Sequence, residues 1–207
     1  MNAVQLVLSV LIHPIDTFRI IKSRKLKINY LQLSSLLLFM VVVVRIIYIY
    51  MLHYPLSNLT IRDTNVLLEI IRMTVPIITW VVACYALTSI MDGETTFLET
   101  LISATLSMMP YIFFIIPFAL LSKIMSGTDI GTFNLILKFI WIWVAMLIII
   151  GVKELNDYSI IKTLNICVLN LITMILICAI IVLFLALASQ LFTFINELFL
   201  EIRLIFN

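Results

Sequence analysis

The stretch LNICVLNLITMILICAIIVLFLALAS, from Leu164 to Ser189, carries no Asp, Glu, Lys or Arg. Crossing roughly 30 Å of hydrocarbon takes about 20 helical residues, so this segment is long and apolar enough to span a bilayer. Four stretches upstream have span length with at most one basic residue each: Leu31 to His53, Ile71 to Met91, Leu101 to Leu121 and Phe133 to Val152. They dominate the composition. Of 207 residues, 64% are apolar and 12% charged, about half the charged fraction of a soluble domain. Inside lipid every backbone N–H and C=O must bond within the protein, which leaves helices or closed barrels, and these runs are too long for barrel strands. The expected fold is an all-α polytopic membrane bundle. It has five transmembrane helices flanked by N- and C-terminal interfacial amphipathic helices, in one domain over 1–207: an N-terminal segment 1–30, a five-span bundle 31–189 and an outer helix 190–207.

Basic residues near span ends are retained on the cytoplasmic side. Arg19, Lys22, Arg24, Lys25 and Lys27 precede the first span, and Lys153 and Lys162 join the fourth and fifth. Arg62, Arg72, Lys123, Lys138 and Arg203 fall on the opposite side. The cluster before the first span places the N-terminus in the cytoplasm and the C-terminus outside, in the cell membrane. Val4 to Ile12 lacks the basic start and small-residue end of a cleavable signal, and runs into His13-Pro14. Within residues 14–28, Ile15, Phe18, Ile21 and Ile28 share an apolar stripe suited to the inner membrane surface. In the last segment Gln190, Thr193, Glu197 and Glu201 share one helical face. Leu191, Phe192, Phe194, Ile195, Leu198, Phe199 and Ile202 cover the rest, a pattern for a helix on the outer leaflet or under a partner.

Catalysis in a membrane needs titratable groups, a nucleophile or a metal at depth. No Asp or Glu lies well inside an expected span, His13 and His53 sit near ends, and HExxH, GxSxG and Gly-rich phosphate loops are absent. The expectation is a protein without enzymatic activity or cofactor. Cys84, Cys167 and Cys178 lie in apolar runs without metal-ligand spacing and read as buried thiols. A net charge of +2 gives no reason to expect nucleic acid. Arg45, about 12 Å from the end of its span, has two readings. Either it snorkels to headgroups beside Tyr48, Tyr50 and Tyr54, or it pairs with a carboxylate or carbonyl. Lys138 snorkels. Pro76, Pro110 and Pro117 are expected to kink their spans, and Ser103, Ala104 and Ser107 permit close helix approach.

Two polar turns lie on the expected inner side. In Asp92-Gly93-Glu94-Thr95-Thr96-Phe97, Gly93 is expected to supply a positive φ, and Thr95 or Thr96 to cap the next helix with Glu99 near its positive end. In Lys153-Glu154-Leu155-Asn156-Asp157-Tyr158-Ser159, Ser159 is a cap. The turns carry complementary charge, so Asp92 or Glu94 is expected to pair with Lys162.

These residues also carry a resemblance. His13-Pro14-Ile15-Asp16 with Phe18 and Lys22, the run from Tyr85 through Asp92-Gly93-Glu94 to Thr96-Phe97, then Pro110-Tyr111, and finally Asp157-Tyr158 with Lys162 resemble the bacterial branch of the Yip (Ypt/Rab-interacting protein) family of five-span membrane proteins. The resemblance covers nearly the whole chain and implies a cytoplasmic N-terminus. Eukaryotic members bind small Rab-type GTPases through features this chain lacks, including an Asp-Leu-Tyr-Gly-Pro motif. Bacterial relatives are often encoded beside carbohydrate ABC importers, which implies an accessory subunit. The expected function is a scaffold contacting membrane lipids and other integral membrane proteins, such as ABC transporter permeases. The alternative is a small transporter or channel for lipid or a neutral solute, with Arg45 lining its path.

Overall fold

The structure, a computed structural model, describes residues 3–23, 29–51, 65–121 and 130–205, with side chains from 5 to 197 within these except at residue 130. Expectations for Arg24, Lys25, Lys27, Ile28, His53, Tyr54, Arg62 and Lys123 lie outside the described residues, as do those for the side chains of Leu198, Phe199, Glu201, Ile202 and Arg203. Every described element is a helix: α1 (Ala3–Ile12), α2 (Pro14–Lys22), α3 (Tyr30–Met51), α4 (Val66–Ile90), α5 (Phe97–Ser107), α6 (Met109–Leu121), α7 (Ile130–Asn156) and α8 (Ile160–Ile205). Five stretches are long and apolar enough to cross a membrane: Tyr30–Met51, Val66–Ile90, Phe97–Leu121, Gly131–Asn156 and Ile160–Glu197. The chain is a multi-pass, all-α membrane protein. The end of the bundle carrying the α4–α5 and α7–α8 turns is called the turn face, and the opposite end the far face.

The third span forms the centre, and every residue from Ile102 to Tyr111 is buried. Small side chains make this possible. A Cβ on Gly151 of α7 would collide with Ser103 Oγ of α5, so these two helices meet almost backbone to backbone. The span is broken at Met108 (φ −79, ψ 0), because Pro110 has no N–H to give the Leu106 carbonyl. Pro117 and Pro76 are accommodated inside α6 and α4 without a break. The two larger of three apolar clusters among the described residues form layers around this centre. One, nearer the far face, includes Val41, Tyr48, Ile77, Tyr111 and Phe118; the other, nearer the turn face, includes Leu37, Ile102, Leu106 and Leu147.

The second layer has a contribution that the expected topology omitted. Leu6 and Val10 of α1, with Phe18 and Ile21 of α2, are fully buried within it. Of the expected stripe, Phe18 and Ile21 cover protein rather than acyl chains, while Ile15 is exposed. α2 stands along the last turns of α7, with the Phe18 ring against Gly151, while His13, Asp16 and Arg19 stay exposed. His13 (φ −128, ψ 67) and Pro14 make the bend between α1 and α2, sharp enough for Thr17 Oγ1 to donate to Ser9 Oγ at 2.9 Å.

At the other terminus the expected boundary at Ser189 is absent. α8 is one helix of 46 residues, about 69 Å long at the helical rise, against about 40–45 Å for a bilayer with its headgroups. It lies on α4, touches α7 more sparsely, and from 179 to 197 every residue except half-buried Ala188 is exposed. No Gly or Pro interrupts residues 160–205, so nothing local stops the helix where the amphipathic pattern begins.

Candidate functional site

The two turns are built alike. Each helix ends on an aspartate in the left-handed region, Asp92 at φ 57 and Asp157 at φ 50. The next N–H reaches back five residues, from Gly93 to the Thr88 carbonyl at 2.7 Å and from Tyr158 to the Lys153 carbonyl at 3.2 Å, the bond that closes a helix C-terminus. Gly93 therefore does not supply the positive φ; Asp92, whose short side chain tolerates that region, does. What Gly93 supplies is room. A Cβ there would lie 2.5 Å from Asn156 Oδ1, 2.7 Å from Tyr158 Oη and 2.8 Å from Thr88 Cβ. Thr96 caps α5 as expected, with Glu99 Oε2 accepting its N–H at 2.8 Å in a capping box. Ser159 Oγ accepts the Lys162 N–H at 3.4 Å.

The turns meet through neutral groups more than through charge. Thr95 Oγ1 donates to Asn156 Oδ1 at 2.9 Å, and Asn156 Nδ2 to the Val152 carbonyl at 3.0 Å. Tyr158 Oη and Lys162 Nζ both donate to the Met91 carbonyl at 3.0 Å, with the ammonium 4.3 Å from the Tyr158 ring centroid. The expected pairing of Lys162 with Asp92 or Glu94 is thus replaced: the Met91 carbonyl, at the C-cap of α4, takes the lysine. Glu94 pairs instead with Lys22 at 3.1 Å, and Lys22 also binds Asp157. Arg19 Nε donates to Glu154 Oε2 at 2.7 Å, and Lys153 Nζ reaches the other oxygen at 2.6 Å. α2 is therefore latched across both turns. Burial works against the charge on Lys22, but its bonds to Asp157 and Glu94 more than offset this and hold its pKa above the ordinary lysine value. Burial, then the charge of Asp92, push the Tyr158 hydroxyl up. Exposed Ile90 and Ile161 flank this polar face, and the Phe97 ring packs edge-on against Tyr85.

A second cluster lies toward the far face. Arg45 is paired rather than snorkelling: its Nε donates to Glu69 Oε2 at 2.9 Å, while Arg72 donates to Glu69 Oε1 at 2.7 Å. The Arg45 guanidinium sits 5.5 Å from the Tyr48 ring centroid. Buried Tyr111 sets its hydroxyl near Arg45, without the alignment of a hydrogen bond, and stacks its ring at a tilt on Trp141. Glu69 is 5% exposed, and sequence reading missed it because α4 begins five residues before the expected Ile71. The available signal was Asn65, whose side chain accepts the Leu67 N–H at 3.0 Å and caps the helix with Glu69 in its first turn.

The structure thus gathers Asp92, Gly93, Glu94, Asp157, Tyr158 and Lys162 at the turn face, with Thr96 and Phe97 beginning the helix that leaves it. It sets Arg45 and Tyr111 in the second cluster, and leaves His13 and Pro14 at the α1–α2 bend and Pro110 at the α5–α6 break. Thr95, Glu154 and Asn156 of the two quoted turns and Arg19 of α2 join the turn face through contacts that the sequence did not indicate. Cys84, Cys167 and Cys178 are free thiols. The fold defines a polytopic helical membrane protein with two polar clusters among its described residues. No family model, no curated protein and no solved structure matches the chain.

Proposed function

We propose that this chain is a non-enzymatic accessory or scaffold protein of the cell membrane, with its turn face in the cytoplasm, that binds another integral membrane protein. The observation that carries this reading is α8. A helix exposed on all sides from 179 to 187 and from 189 to 197, and longer than a bilayer is thick, leaves apolar side chains such as Phe184, Phe192 and Phe194 uncovered by the chain itself. Beyond the bilayer such a surface costs free energy unless protein covers it. The turn face, with Asp92, Glu94 and Asp157 exposed beside Ile90 and Ile161, offers a second contact. The resemblance of the motifs above to the bacterial Yip branch supports a carbohydrate ABC importer permease as the partner.

The test is a photo-crosslinking residue at Phe192 of α8, in the native membrane, with Phe39 of α3 as control. The reading expects one protein adduct at Phe192, recovered in stoichiometric amount in mild detergent, and lipid adducts at Phe39. Lipid adducts alone at both positions, with a monomer on size analysis, would count against it. The alternative, a carrier or channel for lipid or a neutral solute, draws support from an apolar cavity described below. Arg45, which was to line its path, is instead engaged by Glu69.

A further inference from the structure

The space between α7 and α8 is not filled. Pro76 and Trp80 of α4, Met108 at the α5–α6 break, Ala145 of α7, and Cys167 and Leu171 of α8 stand around a cavity of about 370 Å³, within the range of small-ligand pockets. Its walls are almost wholly apolar, so it lacks the two to four polar partners that a water requires. It is partly open, and Ala145 and Leu171, on its two lips, are exposed. A helix of a second copy, about 10–12 Å across, does not fit this volume; a hydrocarbon chain does.

Two cations lie on the far-face side of the wall residues. Arg72 lies one turn before Pro76 on the same face of α4, and Lys138 two turns before Ala145 on the same face of α7. At the helical rise they are about 6 Å and about 10 Å nearer the far face than those wall residues. Both are exposed, Arg72 at 63% of its side chain. The bond of Arg72 to Glu69 leaves positive charge over, because Arg45 shares the same carboxylate.

We propose that the cavity holds one acyl chain of an anionic phospholipid drawn from the far-face leaflet, with its headgroup against Arg72 and Lys138. The site stands independently of the scaffold reading: a bound lipid requires no protein partner.

Trp80, on the cavity wall, supplies the readout. In a Trp141→Phe, Trp143→Phe background it is the sole tryptophan, and phospholipids brominated on their acyl chains quench it on contact. In mixed micelles, brominated phosphatidylglycerol is expected to reach half-quenching at about one fifth the mole fraction of brominated phosphatidylcholine, the factor that about one favourable cation near the surface supplies. Arg72→Gln and Lys138→Gln should each narrow that difference and leave maximal quenching unchanged. Ala145→Phe, which fills the cavity, should lower the maximum for both lipids. Lys138 is exposed, so its variant separates loss of the headgroup contact from misfolding. Superimposable curves for the two lipids, a phosphatidylglycerol preference that survives both Gln variants, or no quenching of Trp80 by either lipid would each overturn the site.

Discussion

Arg45 of α3 and Glu69 of α4 face each other across the bundle at 2.9 Å, the acid 6% and the base 19% exposed at the side chain. A carboxylate so enclosed is held by its partners rather than by water; removing Glu69 strands the Arg45 charge, whereas removing Arg45 leaves Glu69 its bond to Arg72. Glu69→Ala is expected to destabilise the protein by about 3–5 kcal/mol and Arg45→Leu by less, because Arg72 still holds the carboxylate, while the double replacement by leucines recovers much of the Glu69→Ala loss. Buried Cys84 and Cys167 give the measurement: their reaction with a thiol reagent on heating in detergent reports opening of the bundle. A double variant no better than the singles would mean that the pair is not the source of the cost.

Gly151 and Ser103 set the spacing of α5 and α7. Gly151→Ala drives a methyl group into Ser103 Oγ, an overpacking expected to cost about 1–3 kcal/mol. Because the obstructing atom is the hydroxyl oxygen, adding Ser103→Ala should relieve most of that loss. Thermal midpoints of the two singles and the double close the cycle, and additive effects would show that the contact does not govern the spacing.

Asp92 and Asp157 have the same backbone conformation and different duties. Glycine removes the left-handed strain, so Asp92→Gly is expected to stabilise the protein by up to about 1 kcal/mol. Asp157→Gly relieves the same strain but takes a partner from Lys22, and should fall below Asp92→Gly in the same melting assay. Equal gains from the two would deny the latch a role in stability.

Alkaline pH should loosen the turn face. Lys22 and Tyr158 both hold their protons more tightly in the folded protein than their ordinary values of 10.5 and 10.0. The folded state thus binds more protons than the unfolded one above about pH 10, and stability falls as pH rises there. The stabilisation is fully present below that range. Melting midpoints between pH 8 and 11 should decline at the alkaline end, and less steeply in Lys22→Ala.

Apolar run length made the five spans legible, since a bilayer fixes how long such a run must be. Thr96 with Glu99 was readable because a capping box is local. Three features were not. Glu69 sat just outside an expected span, because hydropathy dates a helix from its apolar residues and not from its cap. The Lys22 latch joins residues 135 apart in sequence, a relation no window of sequence contains. Gly93 was assigned a torsional role, whereas the constraint comes from Asn156 and Tyr158 on another turn. The boundary placed at Ser189 followed a change in side-chain pattern, but a helix ends only where its backbone bonds find another partner.

α1 and α2 have no span-length apolar run of their own; α2, with Phe18 and Ile21, packs mainly on α7, and α1, with Leu6 and Val10, on α2, α6 and α5. The hairpin therefore has no finished berth until α7 has been made. α1 and α2 are thus made well before they can be seated, and a chain arrested before Gly151 would display Phe18, Arg19 and Lys22 as an open amphipathic segment, a form that distinguishes a nascent, incomplete copy from a mature one.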